Sequence, residues 1–324
     1  MNLLLVGGGQ IGSRHLQSCL KFHEKLEIYV VDSSEESLAI SKSRASEIDS
    51  LTNHEVYYVT ELDSINELKF DFLIIATGAG PRLSILNNVL ERFTIKSAIL
   101  EKILFQTLDA YISASRIISE KKVNAFVNCP LRVYPFFKKI KEKYITKGSS
   151  VVLNYRGGEW IGLGCNSIHY LDLLNFLTDE NVIEIDVGFL DKEIKNSKRE
   201  GNVEFTGIVK GTYSSGSKIT IESIAGSDMN STIEILSNGF IILIDELTGG
   251  FRIYKGEILI EESSYDVLYQ SDLTHLMLEQ IEKTESCELI DFHDSVKLHQ
   301  EFISKLLEHY NKISGNGGKT LPIT

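Results

Sequence analysis

Short apolar runs alternate with helical patterns over the first 128 residues of the chain. The runs fall at Asn2–Val6, 27–32, 56–60, 72–77, 97–102 and Asn124–Asn128. Between most of them lie stretches with a helical apolar face. Ile11, His15, Cys19 and Phe22 mark the first, and 34–48, 81–92 and 106–120 follow. Short β-rich runs separated by helices predict βαβ units and a parallel sheet. The runs are apolar almost throughout instead of alternating, as expected of strands buried on both faces.

The pattern changes after Cys129 and Pro130. A helix is predicted over Pro135–Tyr144 and a strand over 151–156. The glycine-rich stretch YRGGEWIGLGC (155–165) leads into a helix over 167–177. From 181 to 262 strands follow one another, punctuated by Gly216, Asn238-Gly239 and Gly249-Gly250. Strands with no helix between them imply a largely antiparallel sheet. Two helices close the chain, near 268–284 and 293–310. Val296, Phe302, Ile303, Leu306, Leu307 and Tyr310 give the second an apolar stripe. The tail GNGGKTLPIT is expected to fray.

Size and charge narrow the class. The chain has 324 residues, more than the ~250–300 at which a single core stops growing, so two domains are expected. Lys and Arg number 33 against 45 Asp and Glu, a net charge of -12. That balance opposes binding to nucleic acid or to an anionic membrane surface. No apolar run reaches the length of a spanning helix, and Leu3–Val6 lacks the basic lead-in of a secretory signal. Cys19, Cys129, Cys165 and Cys287 are scattered without a CxxC pair, so a reduced cytoplasmic protein with no metal site is expected.

Residues 3–12 read LLLVGGGQIG, in which Gly7, Gly9 and Gly12 satisfy GxGxxG between a strand and a helix. The first glycine makes the tight turn, the second lets backbone N–H groups approach a pyrophosphate, and the third allows close packing of helix on strand. The helix N-terminus adds free N–H donors and partial positive charge. Asp32 ends the second run, 20 residues after Gly12, where a carboxylate binds ribose hydroxyls and repels a 2′-phosphate. NAD is expected over NADP, although Arg44 is near enough in sequence to reach the same place. The first domain is therefore read as a Rossmann-type doubly wound parallel sheet.

Three segments in order resemble one family: GGGQIGSRH at the start, LEKIL (100–104) at the end of the fifth strand, and SIHYLDLL (167–174) in the second domain. Together they are similar to the Gfo/Idh/MocA family of glucose–fructose oxidoreductase and the inositol dehydrogenases. The resemblance implies an α/β protein. An NAD-binding Rossmann domain occupies 1–122. An α+β domain for substrate binding and oligomerisation, with a large, mostly antiparallel open sheet, occupies 123–324. It also implies a homodimer or homotetramer.

By the same resemblance, Lys102 of Glu101-Lys102-Ile103 meets the reacting oxygen, although the family's proline is lost after it. His169 matches the catalytic histidine and Asp172 its neighbouring acid. Cofactor contacts are expected at Gly7, Gly9, Gln10, Ile11, Gly12, Asp32, Thr77 and Glu101. Substrate contacts are expected at Arg82, Asn128, Arg132, Arg156 and Cys165. Guanidinium groups at Arg82, Arg132 and Arg156 suit an anionic substrate. Two further positions depart from the family: Cys165 stands where an aspartate is usual, and Arg82 stands near a usual histidine.

The expected activity is hydride transfer between nicotinamide and a carbohydrate-type hydroxyl or carbonyl of a sugar, cyclitol or nucleotide-linked sugar. The alternatives are an NAD-assisted epimerase or lyase acting on a sugar and a non-catalytic dinucleotide-binding regulator.

Overall fold

The computed structural model describes residues 1–49 and 53–324. The chain begins with β1 (Asn2–Val6), α1 (Gln10–Cys19), β2 (Glu27–Val31), α2 (Glu35–Ala45) and β3 (Glu55–Val59). It continues through β4 (Lys69–Ile75), α3 (Ala79–Arg92), β5 (Thr94–Glu101), α4 (Leu108–Lys121) and β6 (Asn124–Asn128). Then come α5 (Pro135–Tyr144), β7 (Val152–Gly158), α6 (Leu163–Thr178), β8 (Val182–Leu190), β9 (Lys195–Asn196) and β10 (Val203–Glu204). The strands β11 (Gly207–Tyr213), β12 (Lys218–Ile224), β13 (Thr232–Ser237), β14 (Phe240–Asp245), β15 (Gly250–Lys255) and β16 (Ile258–Ser264) follow. The last elements are α7 (Gln270–Thr284), β17 (Ile290–Asp291) and α8 (Phe292–Ser314).

These elements form two compact units. The first comprises 1–105, 109–128 and 268–293; the second comprises 106–108, 129–267 and 294–324. The sequence reading divides the chain once, between 122 and 123. In the structure the first unit takes in β6, because β6 pairs in parallel with β5, Glu101 opposite Asn128. It also takes in α7, which packs on α1, and β17, which pairs antiparallel with β6. A two-residue strand carries no periodicity, so its return to the first sheet is not visible in the pattern.

The sheet of the first unit has the order β17-β6-β5-β4-β1-β2-β3. All pairs except β17 with β6 are parallel. The order reverses at β1, between β4 and β2, which is the switch point of a doubly wound sheet, and ligands bind at the carboxyl ends of the strands there. Leu3, Leu4, Leu5, Leu73, Ile74 and Ile75 are fully buried in its centre, as the unbroken apolar runs predict.

The second unit holds an eight-stranded sheet, β16-β15-β14-β13-β7-β12-β11-β8, antiparallel except for β7 with β12. One face is apolar. Leu153, Tyr155, Ile219, Ile221, Ile233 and Ile235 are buried on it, and α6 packs on β11 and β12. Tyr213 anchors that packing by donating its hydroxyl to the Leu171 carbonyl at 2.6 Å.

The tail does not fray. Leu321 and Ile323 are both 0% exposed. The Leu321 N–H donates to the Gln106 carbonyl at 2.9 Å, Val203 N–H to the Pro322 carbonyl at 2.7 Å, and the Gln106 amide to the Ile323 carbonyl at 2.9 Å. Two apolar side chains in an otherwise polar tail are enough to dock it once backbone partners are present. No helix among the described residues is long and apolar enough to cross a membrane.

Candidate functional site

The glycine turn of the first unit is built for close backbone approach. Gly7 has φ +100°, and a Cβ there would lie 2.9 Å from the Ala76 carbonyl carbon. A Cβ on Gly12 would meet the Gly7 carbonyl oxygen at 1.8 Å, so α1 can reach β1 only with glycine at this position. Gly9 occupies the N-cap of α1 without a side chain, and no acidic residue follows in the first turn. The helix N-terminus therefore offers N–H donors and partial positive charge to an anion.

Asp32 is anchored to this turn. Its Oδ2 accepts the Gly8 N–H at 2.8 Å and its Oδ1 accepts the Ser34 N–H at 2.9 Å. Each carboxylate oxygen keeps a lone pair for a further donor such as a ribose hydroxyl. Ser41 supports the turn from beneath, donating to the Gly8 carbonyl at 2.7 Å. The Thr77 hydroxyl oxygen, on the loop after β4, is buried with no hydrogen-bond partner among the described residues. A dinucleotide fits these observations: glycines that exclude a Cβ, an uncapped helix end, an anchored carboxylate and an unsatisfied hydroxyl.

Gln10 is exposed at the start of α1 and Ile11 is half-buried. Arg44 reaches the same place, as the sequence allows, but it is used within the protein. Its guanidinium donates to the Gln10 carbonyl and to Ser13 Oγ, both at 2.7 Å, and to the Gln10 side-chain oxygen.

Two residues expected at ligands face inward. Glu101 is buried, and its Oε1 accepts from Asn128 Nδ2 and lies 2.9 Å from His15 Nε2. His15 Nδ1 lies 2.8 Å from Thr274 Oγ1, and Asn128 also donates to Gln270 at 2.8 Å. Burial alone would raise the Glu101 carboxyl. The contacts with His15 and Asn128 and the Lys102 charge outweigh it and hold the group at about 2. Glu101 and Asn128, expected at cofactor and substrate, thus serve each other within a buried network that ties α1, β5, β6 and α7.

Lys102 follows directly, half-buried at the carboxyl end of β5, and the Lys102–Ile103 peptide is cis. Arg82, expected at an anionic substrate, is instead 1% exposed. Its guanidinium donates to the carbonyls of Thr77, Ile103 and Leu104.

In the second unit α6 begins at Leu163, four residues before the predicted start, so Cys165 and His169 are both helical. They are one turn apart and share a face, and both are half-buried while Ser167, Ile168 and Tyr170 are buried. The chain enters the helix through Gly162 at φ +66°. Its N-terminus is capped from β10: Glu204 Oε2 accepts the Gly164 N–H at 2.7 Å. A Cβ at Gly162 or Gly164 would come within 3 Å of that carboxylate, so the glycines of this stretch make room for the cap.

Asp172 is 0% exposed, and Arg132 Nε donates to its Oδ2 at 2.9 Å. Arg132 also donates to Asn175 at 3.1 Å and lies over the Phe176 ring. The expected catalytic acid and the expected substrate arginine are therefore partners of each other. Burial pushes the Asp172 carboxyl up to about 6, against the pull of the Arg132 charge.

Arg156 is separated from this helix by strand alternation. Its neighbour Tyr155 stacks on Tyr170 of α6 at 3.6 Å. Arg156 therefore projects from the opposite face of the sheet, paired with Glu222 at 2.8 Å. It lines a trough there with Glu234, Arg252 and Glu262.

Sequence reasoning missed the roles of His15, Gln270, Thr274 and Glu204. Only His15 left a signal, as a polar residue on the apolar face of α1.

No family model and no curated protein matches the chain by sequence. Solved structures do match it in fold. UDP-N-acetylglucosamine 3-dehydrogenase from Acidithiobacillus ferrooxidans superposes with a TM-score of 0.71 at 12% identity, covering 95% of this chain and 97% of its own. Levoglucosan dehydrogenase, in complex with NADH, gives 0.70 at 13% identity over 100% of both chains. An NAD-binding oxidoreductase from Klebsiella pneumoniae gives 0.70 at 12% identity, over 96% of this chain and 97% of its own. The chain has the two-domain fold of these oxidoreductases, the fold that its resemblance to the Gfo/Idh/MocA family implies.

Proposed function

We propose that this protein is an NAD-dependent oxidoreductase acting on a CH–OH or carbonyl group of a carbohydrate-type substrate. The observation that carries the reading is the Asp32 carboxylate anchored on the Gly8 amide, at a turn whose glycines admit no Cβ. The amides of Gly9 to Gly12 hold the pyrophosphate, Asp32 holds the ribose hydroxyls, and Thr77 offers its buried hydroxyl nearby. A nicotinamide bound there supplies or accepts hydride. Lys102 places a cation at the carboxyl end of β5, where it stabilises negative charge developing on the reacting oxygen. His169 takes or returns the hydroxyl proton. The names of the dehydrogenases that share the fold support a sugar or nucleotide-linked sugar as the substrate class.

One observation favours a second reading, a dinucleotide-binding regulator. The helix face that presents His169 carries Cys165 in place of an acid, and Asp172 is engaged by Arg132. The test is a fluorescence titration with NADH followed by turnover assays on sugars, cyclitols and nucleotide-linked sugars. Net formation of NADH from NAD supports the dehydrogenase. Turnover with no net NADH supports an epimerase or lyase. Tight NADH binding with no turnover across the panel supports the regulator, and absence of NADH binding removes all three.

A further inference from the structure

We propose that Arg82 is a positioning residue whose buried guanidinium fixes the segment carrying Lys102. The inference rests on the reading of Lys102 as the cation at the reacting oxygen, and it extends that reading to a residue that touches no ligand.

Arg82 lies in the first turn of α3, and its side chain is fully enclosed. A buried guanidinium costs several kcal/mol unless its N–H groups are satisfied. Here its two terminal nitrogens are spent on backbone carbonyls. Ile103 and Leu104 belong to the connection between β5 and α4, and Thr77 belongs to the connection between β4 and α3. These carbonyls lie outside any helix or strand, so no ladder satisfies them. β4 and β5 are parallel neighbours, Ile75 opposite Leu100, and their carboxyl ends emerge side by side. The Arg82 fork therefore ties the loop of Thr77 to the loop of Lys102.

Other contacts complete the restraint. Tyr111 donates its hydroxyl to the Phe105 carbonyl at 3.0 Å and accepts the Phe105 N–H at 3.3 Å. On the other side of Lys102, Glu101 is held by His15 and Asn128. Lys102 is thus the half-exposed residue between two buried polar clamps. A planar fork with several donors can serve three carbonyls in different directions, whereas an ammonium is a single point charge. A misplacement of about 1 Å costs on the order of 10² in rate when geometry governs the reaction.

The test uses the full chain and its Arg82→Lys and Arg82→Met variants, with Arg82→Ala for chemical rescue. Lysines are reductively methylated with a ¹³C label, and the Lys102 resonance is assigned by its loss in Lys102→Arg. The expected result is a Lys102 resonance that shifts or broadens in both variants while the other lysine resonances and NADH affinity stay as in the parent. With a turned-over substrate, kcat falls by about 10², and millimolar guanidinium restores part of it in Arg82→Ala. An unchanged Lys102 resonance in either folded variant overturns the proposal. So does movement of all lysine resonances together, or failure of both variants to fold, since Arg82 is then a general core residue. If Lys102→Met keeps full turnover, the assignment of Lys102 fails by itself, and the resonance still reports whether Arg82 positions it.

Discussion

Arg132 Nε donates to Asp172 Oδ2 at 2.9 Å, and this pair joins the segment after β6 to α6 inside the second unit. Removing one member of such a pair leaves the other charge buried. Arg132→Ala is expected to destabilise the protein by about 3–5 kcal/mol, read from urea unfolding at neutral pH. The pH dependence has a definite sign. Asp172 has its carboxyl raised from 3.8 to about 6 in the folded chain. The folded state therefore binds more protons than the unfolded state between those values, and the contribution of Asp172 to stability falls as pH rises through that window. Stability of the parent relative to Asp172→Asn should decline from pH 4 to pH 6 and then level off. A parent–variant difference that rises over this range would show that the Arg132 charge outweighs burial.

The anchored carboxylate of Asp32 leads to a prediction about cofactor choice. Its charge repels a 2′-phosphate and its free lone pairs accept ribose hydroxyls. Parallel fluorescence titrations should show tighter binding of NADH than of NADPH. Asp32→Ala should weaken NADH binding and narrow the gap. Tighter NADPH binding by the parent would instead point to Arg44, which lies at Gln10 on the same turn, as the dominant charge.

The docked tail makes a stability prediction. Leu321 and Ile323 are fully buried, and Gln106 and Val203 pair with the tail backbone. Burial of an aliphatic side chain of this size contributes roughly 1.5–3 kcal/mol. Deleting 321–324 should therefore lower Tm by several degrees and expose apolar surface to a hydrophobic dye. Deleting the last residue alone should change little.

The parts of this molecule that were legible in its sequence are those set by local pattern. The apolar runs and the glycine spacing at Gly7, Gly9 and Gly12 locate the doubly wound sheet, because each depends on residues within one βαβ unit. The place of Asp32 beside the glycine turn is legible for the same reason. Residues whose partners lie far along the chain were misjudged. Glu101 and Asn128 look like ligand groups until folding pairs them with each other and sets His15, 86 residues from Glu101, on the same carboxylate. Arg82 looks like an anion receptor until folding brings it to the carbonyls of Ile103 and Leu104, 21 and 22 residues away. Glu204 caps α6 from 40 residues downstream, on a strand too short to carry a pattern. Arg156 differs from these. The alternation of β7 puts it on the face opposite Tyr155, and that much could have been read from strand periodicity alone.

The chemistry itself gives the last prediction. Lys102 and His169 are both half-buried, and the proposed function gives the first the reacting oxygen and the second its proton. Loss of a positioned acid–base group typically costs ~10²–10⁴ in rate. Lys102→Met and His169→Ala should each lower kcat by that order, with NADH affinity near that of the parent. Cys165 lies one helical turn before His169 on the same face, in the first turn of α6. The position is half-exposed, so solvent screens an added carboxylate from the Glu204 cap on the Gly164 amide, and Cys165→Asp should fold. An acid one turn from the imidazole favours its protonated form, so the acid limb of the kcat profile should move to higher pH in Cys165→Asp. Measuring the three variants against pH on one substrate separates the roles. Full kcat in His169→Ala would make the histidine structural, and an unshifted profile in Cys165→Asp would show that position 165 does not reach the proton being moved.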